Sequence, residues 1–358
     1  MLLVSVVGDF DSGVLPLFYY HAENIRVHIL LHDAEEAEKA ARLQRGLRRF
    51  CRHYGYGPLL LTLNYHEDSR QSIAETAETI LTHKGSGEFL LNFTEGLSTT
   101  AVLLHGLLAP RGGVLVEYDR RENGFNLLRS GEIRSETVSP MTVEEHLMLK
   151  DVDVELHPDM RSVMARRPVV EALLADSERF MAYRNAYGTY HGNVAGYDDI
   201  KSLLTKAGVA ENKNFIDGGI FEEYCFHLLN DLPFDDVQLG VVATFMPDTE
   251  WAFKNEFDVL CIKDNHLHIV ECKFRNFLDG EELVYKYDSV MDLIDEDARA
   301  VLAVVGGENV RIGRSGKVKK IFSDGVKNRA DHNDTLIYQE ACFDPERFKA
   351  EVGAFLLG

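Results

Sequence analysis

The sequence predicts an α/β chain of two domains joined by a helical segment, and three observations carry that reading. Apolar β-type runs alternate with amphipathic helical runs over residues 1–139. Residues 140–210 show helical periodicity alone. From residue 211 to 358 a second α/β pattern starts afresh, with two β-rich runs flanking the tight-turn dipeptide Asp264-Asn265. A chain of 358 residues is also longer than one ordinary hydrophobic core supports.

In order, residues 2–7 read as a strand, 14–24 as a helix and 26–31 as a second strand. Residues 35–54 form a long helix with Ala, Leu and Phe at helical spacing, 59–64 a third strand, and 69–83 a helix opened by Ser69. A strand at 89–93 precedes a helix at 99–108, which Pro110 and the Gly112-Gly113 turn end. Residues 114–118 and 125–128 follow as paired strands around Asn123-Gly124. Such βαβα alternation implies a mostly parallel sheet with helices on both faces, a Rossmann-like domain. Helices are expected next at 143–149, 161–182 and 197–207, with 183–196, rich in Tyr, Asn and Gly, as a loop or hinge. No internal repeat or low-complexity tract interrupts the chain.

At 45% hydrophobic and 27% charged residues the composition is that of a soluble globular protein. Residues 2–7 are too short for the apolar core of a signal peptide, and no run nears the ~20 apolar residues of a membrane span. Cys51, Cys225, Cys261, Cys272 and Cys342 are odd in number and lack CxxC spacing, so they are expected as reduced structural thiols in a cytoplasmic protein. The net charge of −20 divides as −4 over residues 1–140, −3 over 141–210 and −13 over 211–358. An acidic second domain argues against tight non-specific duplex binding, though bound divalent ions can supply positive charge where a phosphate must sit. The one dense basic stretch in that domain is Arg311, Arg314, Lys317, Lys319 and Lys320, read as a hairpin around Ser315-Gly316 that is either an electrostatic funnel or merely solvated.

The candidate chemistry lies in the second domain, between Asn255 and Lys273. With a hairpin turn centred on Asp264-Asn265, Asp258 falls directly opposite Glu271, their Cβ atoms about 4.5–5.5 Å apart. Lys273, two residues beyond Glu271, projects from the same face. Two carboxylates and an amine on one sheet surface suit Mg²⁺ or Mn²⁺ and hydrolysis of a phosphodiester. Lys273 could orient or deprotonate the attacking water, or stabilise the pentacovalent phosphorus. Leu267, Ile269, Val270 and Phe274 around the charged pair mark a largely buried strand. Upstream, Phe221, Cys225 and Leu228 form the core stripe of a helix, with Glu222 beside that stripe and Glu223 turned further towards solvent. His266 and His268 have the parity that faces away from Glu271 and are read as ordinary strand residues.

These motifs resemble the CRISPR-associated ancillary nucleases, in which a CARF sensor domain is fused to a restriction-endonuclease-like PD-(D/E)xK domain. The resemblance rests on Gly218-Gly219-Ile220-Phe221-Glu222-Glu223-Tyr224, Glu256-Phe257-Asp258 and Glu271-Cys272-Lys273, in that order. It implies that Asp258 and Glu271 hold the metal with the backbone carbonyl of Cys272. It further implies that Lys273 is the catalytic amine, Glu222 a helix-borne acid, and Lys286 a cation facing substrate.

In the first domain, ligands are expected at the C-terminal ends of the strands near the topological switch point. The loops there are Gly8-Asp9-Phe10-Asp11-Ser12-Gly13 and the run from Asn92 to Thr100. Neither is GxGxxG or a P-loop, so neither a dinucleotide cofactor nor NTP hydrolysis is expected. Small hydroxyls, an Asn and amides at a helix N-terminus suit contacts with nucleotide phosphates and riboses, and a turn with an ordinary helix cap would explain Ser98 and Thr99 equally well. The resemblance implies that these loops bind a cyclic oligoadenylate across the two-fold axis of a homodimer, cyclic tetra-adenylate above others. On that reading Gly8, Asp9, Phe10, Ser12, Asn92, Thr94, Gly96, Ser98 and Thr99 form the site, with Asn92, Thr94 and Gly96 fitting an Asn-x-Thr-x-Gly pattern. The chain departs from the family where Glu95-Gly96-Leu97-Ser98 replaces a Gly-Gly-Thr-Lys continuation, which removes a phosphate-binding lysine. The expected whole is a ring-activated nuclease acting on single-stranded DNA or RNA. Its alternatives are a nuclease under another control, as in DNA repair, and a non-catalytic nucleic-acid-binding sensor.

Overall fold

The structure is a computed structural model that describes all residues except 9–10, 67–68, 95–98, 130, 157–158, 188–194, 275–283, 287–289, 292, 296, 306–309, 313–317, 321 and 341. The chain divides into two compact units, Met1–Val154 with Thr244–Phe253, and Glu155–Ala243 with Lys254–Gly358.

In the first unit, strands β1 (Leu2–Val6), β2 (Val27–His32), β3 (Leu59–Asn64), β4 (Phe89–Asn92), β5 (Gly113–Asp119), β6 (Gly124–Arg129) and β7 (Glu132–Thr137) form one sheet. Its order is β3-β2-β1-β4-β5-β6-β7. The first five run parallel because helices connect them, and β6 and β7 add antiparallel at one edge. β1, β2 and β4 are buried along their whole length, which explains their unbroken apolar runs. The connecting helices are α1 (Leu15–His21), α2 (Ala37–Tyr54), α3 (Arg70–Thr82) and α4 (Thr99–Leu108), with Ser69 capping α3 through the amide of Ser72. After β3 the chain crosses to the other side of β1, so the loops leaving β1 and β4 adjoin at the switch point.

Two features differ from the sequence reading here. The β5–β6 connection is residues 120–123, and Gly124 already lies within β6 opposite Asp119, so the turn is not centred on Asn123-Gly124. Gly124 is there because β7 passes close: a Cβ would meet the Glu136 carbonyl oxygen at 2.7 Å. β7 itself was not legible, since its charged, exposed residues show no apolar alternation, as befits an edge strand.

The helical segment holds α5 (Val143–Leu149), opened by a Thr142–Glu145 capping box, then α6 (Met160–Leu174), α7 (Ser177–Ala186) and α8 (Tyr197–Lys206). The helix expected over 161–182 is two: the chain breaks after α6, and Asp176 accepts from the Arg179 amide to start α7. α7 therefore runs into residues read as a loop.

The second sheet has the order β15-β12-β11-β10-β9-β8, built from β8 (Val152–Leu156), β9 (Asp236–Phe245), β10 (Phe253–Lys263), β11 (His266–Phe274), β12 (Ala300–Val305) and β15 (Thr335–Glu340). β10 and β11 pair antiparallel, whereas β11, β12 and β15 are parallel. A separate ribbon pairs β13 (Val310–Ile312) with β14 (Val318–Lys320), so the expected basic hairpin exists, although Arg314, Lys317 and the Ser315-Gly316 turn lie outside the described residues. A wide π turn, Phe215–Gly219, leads into α9 (Ile220–Asn230), which packs on β11 and against α6. α10 (Asp324–His332) and α11 (Pro345–Leu357) complete the unit. Phe221, Cys225, Val259, Val270, Phe274 and Val301 belong to its core. Among the described residues no helix is long and apolar enough to cross a membrane.

Candidate active site and ligand loops

The active-site geometry starts from the hairpin turn. Asp264 and Asn265 have φ of 52° and 68°, the left-handed pair that a two-residue turn of right-handed strands requires. That turn sets Lys263 opposite His266 and carries the ladder to Val259 opposite Val270. One step further, Asp258 and Glu271 face each other. There the side chain of Asp258 takes over from the ladder: its Oδ2 accepts from the Cys272 amide at 2.7 Å. β11 is interior, flanked by β10 and β12, so Glu271 is buried although ionisable.

Lys273 closes the group. Its Nζ lies 3.2 Å from Asp258 Oδ2 and 3.3 Å from the Cys272 carbonyl, and it forms a close ion pair with Glu271. Burial opposes the lysine's charge, but Asp258 and Glu271 together outweigh it and raise its pKa. Burial and then the Glu271 carboxylate push Asp258 up to about 6. Glu222, in the first turn of α9, is pushed to about 8 by burial and by Asp258.

Glu222 and Lys273 border a cavity of about 390 Å³, lined also by Arg184, Asn214, Asp217, Gly218, Cys272 and Phe274. The π turn supplies one wall, and its Gly218 leaves room for Glu222, whose Oε1 lies 3.2 Å from where a Cβ would be. The donor set fits a hard divalent cation. Asp258 Oδ2, Glu271 Oε1 and the Cys272 carbonyl are all oxygens, and they already surround one cation, the Lys273 ammonium.

Two further placements differ from expectation. Glu223 does not turn to solvent: it is buried and ion-paired with Arg166 of α6, because α9 is covered on two sides and Glu223 faces the second helix. Glu222 is the more accessible of the two and faces the cavity. Lys286 lies on an exposed helical position and is not among the residues that line the cavity. His266 approaches Asp295 and Asp297, but Asp295 caps the local turn by accepting from the Leu267 and Asp297 amides, and His266 Nδ1 stays 4.0 Å from Asp297. Arg184 falls beyond the end at residue 182 that helical periodicity predicts, so sequence reasoning misses it.

In the first unit, Asp9, Phe10, Gly96 and Ser98 lie outside the described residues. Gly8 accepts from Lys39 Nζ through its carbonyl at 2.8 Å. Ser12 sits in the short turn Asp11–Gly13, and Thr99 is exposed at the start of α4. Asn92 is buried and donates to the Gly13 carbonyl at 2.7 Å and to Ser5 Oγ at 3.4 Å. Its Oδ1 accepts from the Thr94 amide and hydroxyl, and Thr94 Oγ1 accepts in turn from the Tyr118 amide. Asn92 thus ties the two loops together, with both its donors and its acceptor used inside the protein.

Asp11, not singled out by sequence, is fully buried and gathers Lys39, Arg42 and Lys150, with ion-pair distances of 3.5, 2.7 and 3.3 Å. Burial alone would raise its pKa, but these three cations hold it below the usual value. A signal existed: Asp11 lies in a short glycine-bounded loop after β1, and Lys39 and Arg42 recur three apart on α2.

Residues 209–332 match the family model described as Card1-like, endonuclease domain. No curated protein sequence matches the chain. Among solved structures, the fold is similar to Can2 from Sulfobacillus thermosulfidooxidans in complex with cyclic tetra-adenylate, with a TM-score of 0.68 at 17% identity over 99% of both chains. It is also similar to protein VC1899 from Vibrio cholerae, with a TM-score of 0.72 at 16% identity over 99% of this chain and 97% of that one. At such identities the likeness establishes the two-domain fold along the whole chain.

Proposed function

We propose that this chain, whose residues 209–332 form a Card1-like endonuclease domain, is a metal-dependent nuclease of CRISPR antiviral defence. In this reading a cyclic oligoadenylate bound to a homodimer's N-terminal domains controls cleavage of single-stranded DNA or RNA. One observation carries the catalytic half of it: Asp258 and Glu271, both in the matched domain, converge on the Lys273 ammonium, and Lys273 lines a cavity together with Glu222. The control half is supported by the fold shared with Can2, which was solved with cyclic tetra-adenylate, and by the two polar loops at the switch point. Cyclic tetra-adenylate is accordingly the first ring to test.

Asp258, Glu271 and the Cys272 carbonyl would hold Mn²⁺ or Mg²⁺, which supplies Lewis-acid polarisation of the phosphodiester and a more acidic bound water. Lys273, charged at neutral pH, suits neutralising a phosphate oxygen better than accepting a proton. Glu222, with a pKa near 8, keeps a proton at neutral pH and can donate it, or a hydrogen bond, to an oxygen in the cavity.

The test is cleavage of labelled single-stranded DNA and RNA with a panel of cyclic oligoadenylates, with Mn²⁺ or with EDTA. Wild-type protein should cut only with metal and a ring, and Glu271→Ala and Lys273→Ala should each abolish cutting while still binding the ring. Full cleavage by either folded variant removes the catalytic assignment, and equal rates with and without every ring remove the control.

A further inference from the structure

We propose that Arg184 anchors the substrate strand in the cleavage cavity by holding one of its backbone phosphates. The inference rests on the nuclease reading and starts from a charge problem inside the cavity. Two cations line it, Arg184 and Lys273, beside the carboxyls of Asp217 and Glu222. Lys273 is already shared between two buried carboxylates, so little of its charge is left to attract a polyanion. The surrounding residues 211–358 carry a net −13, so long-range attraction does not help either. Arg184 is the cavity's other source of positive charge.

Its placement suits that role. The guanidinium lies over the Phe274 ring, 5.7 Å from the centroid, and Phe274 directly follows Lys273. Stacking on a fixed ring orients the planar fork and lowers the entropy lost when it grips a phosphate. Its contact with Asp217 is loose: Arg184 Nε is 3.6 Å from Asp217 Oδ1, beyond a good hydrogen bond. Asp217 is also 4.0 Å from Lys213, so its charge is not committed to the arginine. A phosphate offers two oxygens in the geometry the fork prefers, and it displaces such a carboxylate.

Asp217 is then a competitor for Arg184, and this gives the test an unusual sign. Full-length protein, Arg184→Gln, Arg184→Lys, Asp217→Asn and the Arg184→Gln/Asp217→Asn double variant are compared by two readouts. One is fluorescence anisotropy of a labelled single-stranded oligonucleotide, without divalent metal and at several salt concentrations. The other is kcat and KM with Mn²⁺ and cyclic tetra-adenylate.

Arg184→Gln should weaken binding and raise KM about tenfold, with kcat changed less than about threefold, and the log–log salt dependence should lose about 0.7 of a unit. Arg184→Lys should recover part of the loss. Asp217→Asn should tighten binding, and that gain should vanish in the double variant. The proposal is overturned if Arg184→Gln leaves binding and salt dependence unchanged. It is equally overturned if Asp217→Asn weakens binding as Arg184→Gln does, which is the result for a purely structural pair. Should the wild type cleave nothing under any condition, the nuclease reading fails, while the anisotropy series still decides whether Arg184 holds a phosphate.

Discussion

At the scale of single residues, the site is a contest between burial and charge. Asp258 and Glu271 sit on an interior hairpin where water cannot dilute their repulsion, and Lys273 offsets part of it. The surplus appears as protons held at Asp258 up to about pH 6 and at Glu222 up to about pH 8. Both pKa values are raised above the ordinary 3.8 and 4.5, so between those values and the raised ones the native state binds more protons than the unfolded chain. The stability they contribute is fully present below the unfolded values and is lost as pH rises towards 8. In EDTA, the melting temperature should therefore fall as pH rises from about 5 to about 8.5, and Glu222→Gln, which stays uncharged, should flatten the upper part of the slope. Thermal melts across that range check it. An identical slope in the variant above about pH 6.5 would show that Glu222 is not the group responsible.

At the scale of elements, close backbone approach matters more than side-chain size. Gly46 lies within α2 where that helix meets the end of α5: an added Cβ would come 2.7 Å from the Leu149 carbonyl carbon and 2.8 Å from the Asp151 amide nitrogen. These are backbone atoms and cannot swing aside. Asp151 is itself held in place, with φ of 64° and ion pairs to Arg45 and Arg49 of α2. An alanine inside a helix ordinarily stabilises by up to about 1 kcal/mol over glycine. Gly46→Ala should instead destabilise by about 1–3 kcal/mol, measured by denaturant unfolding, because the two helices must separate. A stabilised variant would mean that the helices approach less closely than described.

At the scale of the molecule, charge is distributed unevenly. The half that carries the endonuclease domain is the more acidic, so affinity for nucleic acid must come from local positive charge and not from the domain's overall balance. The β13–β14 ribbon is one such place, since its register sets Arg311 opposite Lys319. Neutralising Lys317, Lys319 and Lys320 together should raise KM for long substrates and lower the log–log salt slope by up to about 2 units for a single strand, leaving kcat at saturation nearly unchanged. KM measured at several salt concentrations decides the matter. An unchanged slope would return the ribbon to the status of a solvated hairpin.

The sequence by itself determined what local periodicity encodes. The βα alternation dictated the doubly wound first sheet, and the parity about Asp264-Asn265 put Asp258, Glu271 and Lys273 on one face, because a two-residue turn leaves the register no freedom. β9 was equally legible in its alternation of Val237, Leu239, Val241, Ala243 and Phe245, and was overlooked. Only the tertiary structure decided what depends on neighbours distant in sequence. Helical spacing cannot say which of Glu222 and Glu223 is buried when a helix is covered on two sides, and α6, through Arg166, takes Glu223. Nor could it bring Arg184 to the cavity beside Phe274, or gather Lys39, Arg42 and Lys150 around Asp11. Those arrangements depend on how separate elements pack, and a buried charge draws its partner from whichever element lies against it, at any distance along the chain.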